Sequence, residues 1–299
     1  MNNKLLFTTI IASAMLTACG GDSSSSTSSS DNTSNTDNTT DTTGTGTGET
    51  TGTGISSTSA VFSYEGTLDA DGTTNHENFI FTAEADGTYA IVLEGPEGAD
   101  FDVSVEEAPA YDVVADGSSD DADEVAVFDM TAGNTYWIYV DALSGSGDYT
   151  VFAVEATRDS LNLSSTEQVL TATGTFTDSC DEDSYEEVYS AVVDLTNRTI
   201  RELDNDSFDE SYLSFDYNLT TSSTGFVLSV QMELTEEEDE YEVDIDSNSV
   251  ESFVYGSDNS SGTYTLDGEY SVSVTDTSTG DVYDDTCTQA ASGTFELLF

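Results

Sequence analysis

The chain has 299 residues, with 60 aspartates and glutamates against four lysines and arginines, a formal net charge of −56. That excess excludes nucleic acid and anionic membrane surfaces as partners, because both repel a polyanion. Two prolines, against abundant Gly, Ser, Thr, Asp and Tyr, favour short strands and turns over helices.

The first predicted element is a leader. Lys4 precedes an apolar run from Leu5 to Leu16, which is too short to span a bilayer as a permanent helix. A basic start, a short apolar core and a small-residue end make residues 1–18 a secretory signal peptide. Its end, Leu16-Thr17-Ala18-Cys19, resembles a bacterial lipobox. The resemblance implies cleavage before Cys19 and acylation of its sulfur. Each buried methylene contributes about 0.8 kcal/mol, and more than one acyl chain is needed for a stable membrane anchor. Gly20 rather than Asp follows, which in lipoproteins of two-membrane bacteria resembles an outer-membrane destination. With Cys19 in lipid, Cys180 and Cys287 remain as an even pair, which in an exported protein reads as a disulfide.

Residues 20–59 hold Ile55 as their only apolar side chain, so 19–59 is expected to be a lipidated cysteine followed by a disordered tether. A flexible segment of this length has an r.m.s. span of about 35 Å.

From Val61 the apolar residues alternate with polar ones, which predicts an antiparallel β-sandwich with one buried side per sheet over 60–157. Tyr89, Ile91 and Leu93 share one inward face, as do Tyr136, Ile138 and Val140. The segment 146–154 continues the alternation after a Gly-Ser-Gly turn. Trp137 and Tyr139 alternate with the inward set and are expected to point outward, where aromatic rings stack on sugars or dock a protein partner.

The segments ENFIFTAEADGTYAIVLEG, ADFDVSV, DEVAVFDMTAGNTYWIYVDA and GSGDYTVFAV follow one another in that order. Together they resemble the bacterial pre-peptidase C-terminal domain, a β-sandwich carried by many secreted proteases and other exported proteins. The resemblance covers about residues 60–156. Tyr139 stands where that family often has Arg in the second strand. What the resemblance implies is an accessory role beside an exported hydrolase, and calcium binding of the kind some relatives show.

Residues 165–299 are again strand-like and predict a second β-domain of eight to ten short strands, a sandwich or an open barrel. Leu213, Phe215, Tyr217 and Leu219 face one way, and so do Phe226, Leu228, Val230, Met232 and Leu234. Cys180 falls just after the first of these strands and Cys287 just before the last, so a bridge ties the two ends together. Short, acid-interrupted runs argue against a membrane barrel. The fold class is therefore all-β, with two tandem antiparallel domains after a linker.

Absences bound the chemistry. Beyond Lys4 there is no lysine, which excludes Walker-type, Schiff-base and Ser-Lys chemistry. The single histidine, His76, reads as an exposed residue at a strand start, and one histidine is a poor basis for a catalytic triad or a zinc site. Calcium, which takes carboxylate and carbonyl oxygens, is the credible ion. Its candidate ligands are Asp69 with Asp71, Asp100 with Asp102, and Asp120, Asp121 and Asp123, none at EF-hand spacing. Self-repulsion on this scale is the composition of proteins in salty or cation-rich media. The expectation is a non-catalytic envelope lipoprotein that binds a polysaccharide, a protein or calcium. An accessory module of an exported hydrolase is the alternative, followed by a carboxylate-pair glycosidase within 165–299.

Overall fold

Side chains that alternate in polarity can satisfy both water and a core only as strands, and strands account for most of the described residues. The computed structural model describes residues 53–70, 72–117, 122–180, 184–203, 213–237, 241–276, 279 and 282–299. Cys19, Asp71, Asp120 and Asp121, like the leader, lie outside the described residues.

The first unit contains β1 (Phe62–Asp69), β2 (His76–Thr82), β3 (Gly87–Glu94), β4 (Asp100–Glu107), β5 (Asp112–Gly117), β6 (Glu124–Met130), β7 (Thr135–Ser144) and β8 (Ser146–Glu155). They make two four-stranded antiparallel sheets, β1-β8-β3-β6 and β2-β7-β4-β5. Nearly every connection switches sheets, and only β4 and β5 are both consecutive and paired. The sharpest switch is at Gly145, between β7 and β8. Its φ of 75° suits glycine, and a Cβ there would sit 2.7 Å from the Ala99 side chain. Between the sheets lies a core that includes Ile91, Leu93, Phe101, Val103, Tyr136, Ile138 and Val140.

One expectation fails here. The β1-β8-β3-β6 sheet is buried on both faces, not one. Ala90, Val92, Val125, Val127, Phe152 and Val154 on its outer face pack with Leu161, Val169, Val192 and Leu203 from the second half of the chain. Ile55, expected within a disordered tether, closes the same cluster at 2% exposure. The folded unit thus starts earlier than composition suggests. One isoleucine among polar residues gives little signal, but an apolar sheet face needs covering.

The second unit holds β9 (Gln168–Asp178), β10 (Ser184–Asp194), β11 (Thr199–Arg201), β12 (Leu213–Ser222), β13 (Gly225–Glu237), β14 (Tyr241–Tyr255), β15 (Ser261–Asp276) and β16 (Val282–Leu298). They form one eight-stranded antiparallel sheet in the order β11-β10-β9-β16-β15-β14-β13-β12. The sheet curls until it is nearly closed. Tyr189 on β10 reaches across the interior to donate to Glu251 on β14 at 3.0 Å. The inward set Phe226, Leu228, Val230, Met232 and Leu234 is buried as expected, whereas Tyr217 on the edge strand β12 is exposed.

Two expectations about this unit need correction. The strands are not short, since β13 to β16 run 13 to 17 residues. Length therefore no longer argues against a membrane barrel, but polarity does. Inward positions are mostly apolar, and although Val250, Val254 and Val282 are exposed, the outward positions also carry Asp246, Asn248, Asp267, Glu269 and Thr288, which a continuous lipid-facing band would not. Cys287 also lies within the last strand, opposite Tyr270, and not before it. Cys180 and Cys287 form a disulfide across 107 residues of sequence. It clamps β9 to β16, the first and last strands, which already pair through Asp178 and Gln289.

Candidate ligand-binding face

Strand β7 reads TYWIYVDALS, and its pleat sends Tyr136, Ile138 and Val140 into the sandwich with no exposed surface. Trp137 and Tyr139 consequently stand on the outer face of the β2-β7-β4-β5 sheet, half exposed. The second unit packs mainly on the other sheet, as the shared cluster shows, with its β10 also running beside β5 at the edge of this one.

The neighbours of these rings follow from strand register. Ile80 on β2 is opposite Trp137 on one side and Glu106 on β4 is opposite it on the other. Val113 on β5 lies beyond Glu106. One step along, Tyr139 sits between Asn78 and Ser104, and one further, Asp141 sits between His76 and Asp102. Four rings make a continuous row. His76 and Tyr139 have centroids 5.6 Å apart, Tyr139 and Trp137 6.4 Å, and Trp137 and Tyr111 6.2 Å.

Two side chains orient this row. His76 Nδ1 donates to Asp141 Oδ1 at 2.5 Å, and Tyr139 Oη donates to Glu106 Oε2 at 3.2 Å. Burial first, and then the Glu106 charge and hydrogen bond, raise the Tyr139 hydroxyl above its ordinary pKa, so it remains a donor. Tyr111 is the irregular member. Its φ is 62°, a left-handed conformation that bulky residues avoid, held by its N–H donating to the Glu107 carbonyl at 2.8 Å.

Sequence reasoning placed Trp137 and Tyr139 on this face but missed the rest. Alternation along β2 carries His76 and Ile80 to the same side, a signal that needs only the pairing of β2 with β7 to become useful. Tyr111 left no signal, because a left-handed tyrosine after a turn is not a pattern.

The carboxylates proposed for calcium come from different strands of both sheets, with Asp69 and Asp100 paired to Ser146 and Ser144 on either side of Gly145. Asp69 ends β1 in one sheet, Asp100 and Asp102 open β4 in the other, and Asp123 precedes β6 in the first. Asp123 accepts from the Gly95 N–H at 3.0 Å, and burial first, then the Asp123 charge, push the neighbouring Glu94 carboxyl up to about 7. Asp102 lies opposite Asp141. Burial and the Asp141 charge together push Asp116 up to about 7. Among the described residues, Asp178, Cys180 and Cys287 have ligand atoms within 4.8 Å of one another. The two sulfurs are bonded to each other, which leaves no thiolate to bind an ion.

Two other features were weighed. A cleft of about 280 Å³ lies at the seam of the two units, lined by Val114, Phe128, Val188, Phe295 and Leu298 among others. Inside the curled sheet, Ser247, Ser249, Glu251 and Gln289 are buried polar residues between two apolar clusters. Burial pushes the Glu251 carboxyl up to about 7 despite the Tyr189 hydrogen bond.

Fold and site together define an all-β protein, a two-sheet sandwich joined to a nearly closed eight-stranded sheet, with an outward aromatic row on the sandwich. Comparisons with protein families, with curated proteins and with solved structures found no match for this chain.

Proposed function

We propose that this chain is a lipid-anchored protein of the bacterial envelope. On this reading it holds a ligand on the outer face of the β2-β7-β4-β5 sheet and does not catalyse a reaction. The observation that carries it is the row His76, Tyr139, Trp137, Tyr111, with Ile80 and Tyr111 each 53% exposed beside the half-buried tryptophan. Exposed aromatics grouped on one sheet face are a liability in water and an asset at a binding surface. The lipobox resemblance supports the anchor at Cys19, and the pre-peptidase resemblance of 60–156 supports an exported accessory role. The ligand classes are a polysaccharide, a protein or calcium, the last at the acidic end of the sandwich that carries Asp100 and Asp102.

A screen of glycans, envelope proteins and calcium against the full-length protein tests this, with Trp137→Ala as the control. Trp137 is the chain's one tryptophan, so its fluorescence reports on the face directly. The expected result is at least one ligand that shifts this fluorescence and whose binding, read by calorimetry, is lost in Trp137→Ala. Ligands that bind both proteins equally would place the activity elsewhere.

A further inference from the structure

We infer that the aromatic face receives an arginine side chain from a basic polypeptide partner. This rests on the reading of that face as a binding surface and names the chemistry of what it binds. Glu106 is the informative residue. It stands directly opposite Trp137 on the next strand and accepts from Tyr139, so a carboxylate lies against the middle of the aromatic row. Asp141 continues the acidic character along the same sheet, opposite the buried Asp102, and Asp112 sits at the start of β5. The base on this face, His76, is engaged by Asp141.

Electron-rich rings around a carboxylate suit an organic cation. A cation within about 6 Å of a ring centroid is attracted to the ring face, most strongly for tryptophan. Arginine fits better than lysine. Its planar guanidinium stacks on aromatic rings while its fork of donors engages a carboxylate, whereas an ammonium is a compact, strongly hydrated point charge. Ile80 and Val113, 53% and 39% exposed, flank the Trp137–Glu106 pair and offer apolar surface for the methylene stem. The left-handed backbone at Tyr111 adds a fourth ring to the row, the kind of local strain found at ligand clamps. The formal charge of −56 draws a basic partner in and repels an acidic one.

The test titrates full-length protein, in a non-ionic detergent, with a capped Arg-Gly-Arg-Gly-Arg peptide at 0.15 M NaCl, reading Trp137 fluorescence. The same peptide with citrulline for arginine keeps the shape and removes the charge. The expected result is saturable binding of the arginine peptide, at least tenfold weaker binding of the citrulline peptide, and at least a fivefold loss in Glu106→Gln. Asp216→Asn, an exposed acid on β12, should stay within twofold of the unaltered protein. Equal affinity for the two peptides overturns the inference, as do equal losses in the two variants, which would mean diffuse charge attraction. The citrulline comparison needs only unaltered protein and stands even if a variant fails to fold. A neutral hexasaccharide that moves Trp137 while the arginine peptide does not overturns the cation assignment and keeps the binding face. Silence from both ligands counts against the face itself.

Discussion

Glu251 shows how one buried group sets a pH dependence. It is 2% exposed inside the curled sheet, with the Tyr189 hydroxyl as a donor. Burial holds its folded-state pKa near 7 against an ordinary value of 4.5. Below about 4.5 both states are protonated and no penalty exists. As pH rises towards 7 the unfolded chain ionises while the folded one resists, so stability falls, by up to about 3 kcal/mol in the high-pH limit. Glu251→Gln should therefore stabilise the protein at pH 8 and leave it nearly unchanged at pH 4.5, as read by urea unfolding at each pH. A variant equally stabilised at both would show that ionisation is not the cause. Tyr111 offers the converse. Its left-handed backbone costs on the order of 1 kcal/mol, which glycine does not incur. Tyr111→Gly should hold or raise the melting temperature while weakening whatever binds the aromatic row. A large fall in stability would instead make that tyrosine a packing residue.

At the scale of elements, the closing pair β9 and β16 decides how the second unit holds together. Backbone pairing joins them from Val169–Leu298 to Asp178–Gln289, and the Cys180–Cys287 bridge lies at the end of that ladder. Asp178 gathers the surroundings by accepting from Tyr270 Oη at 2.9 Å, Gln289 Nε2 at 3.3 Å and the Cys180 N–H at 2.7 Å. Because the bridge closes a loop of 107 residues, its removal should cost about 4 to 5 kcal/mol in the chain-entropy model. The measurement is the urea midpoint of the Cys180→Ser/Cys287→Ser double variant against the oxidised protein. An unchanged midpoint would mean that the ladder alone suffices.

For the whole molecule, the shared cluster and the charge pull in opposite directions. Ile55, Val92, Phe152, Val169 and Val192 tie the two units through one apolar seam. Two arginines work beside it. Arg158 donates to the carbonyls of Ser164 and Glu167 and to that of Phe299, and Arg201 pairs with Glu167 at 3.1 Å. Burial opposes ionisation of Glu167, yet the Ser164 N–H and Arg201 outweigh it and hold that carboxyl below its usual range. Against these contacts stands a formal charge of −56, whose self-repulsion falls with ionic strength. The melting temperature should rise from 0.05 M to 1 M NaCl, and rise further with millimolar calcium if the acidic end of the sandwich takes the ion. Identical melts across the salt series would remove self-repulsion as a factor in stability.

The sequence by itself determined the all-β class, because period-two alternation has no other packed solution, and it determined which face of β7 looks outward. It also pointed to Cys180 and Cys287 as the pair, given the lipobox reading of Cys19. Alternation assigns faces but not neighbours, and only the tertiary structure decided the rest. Pairing β2 and β4 with β7 put His76, Ile80 and Glu106 around Trp137, and a turn at Tyr111 supplied a ring that no pattern announces. The curl that brings β16 back to β9, and the burial of Ile55 and of both faces of β3, arise from contacts between segments far apart in the chain. Such contacts depend on which apolar surfaces meet once every strand has formed, a property of the assembled sheets and of no local stretch.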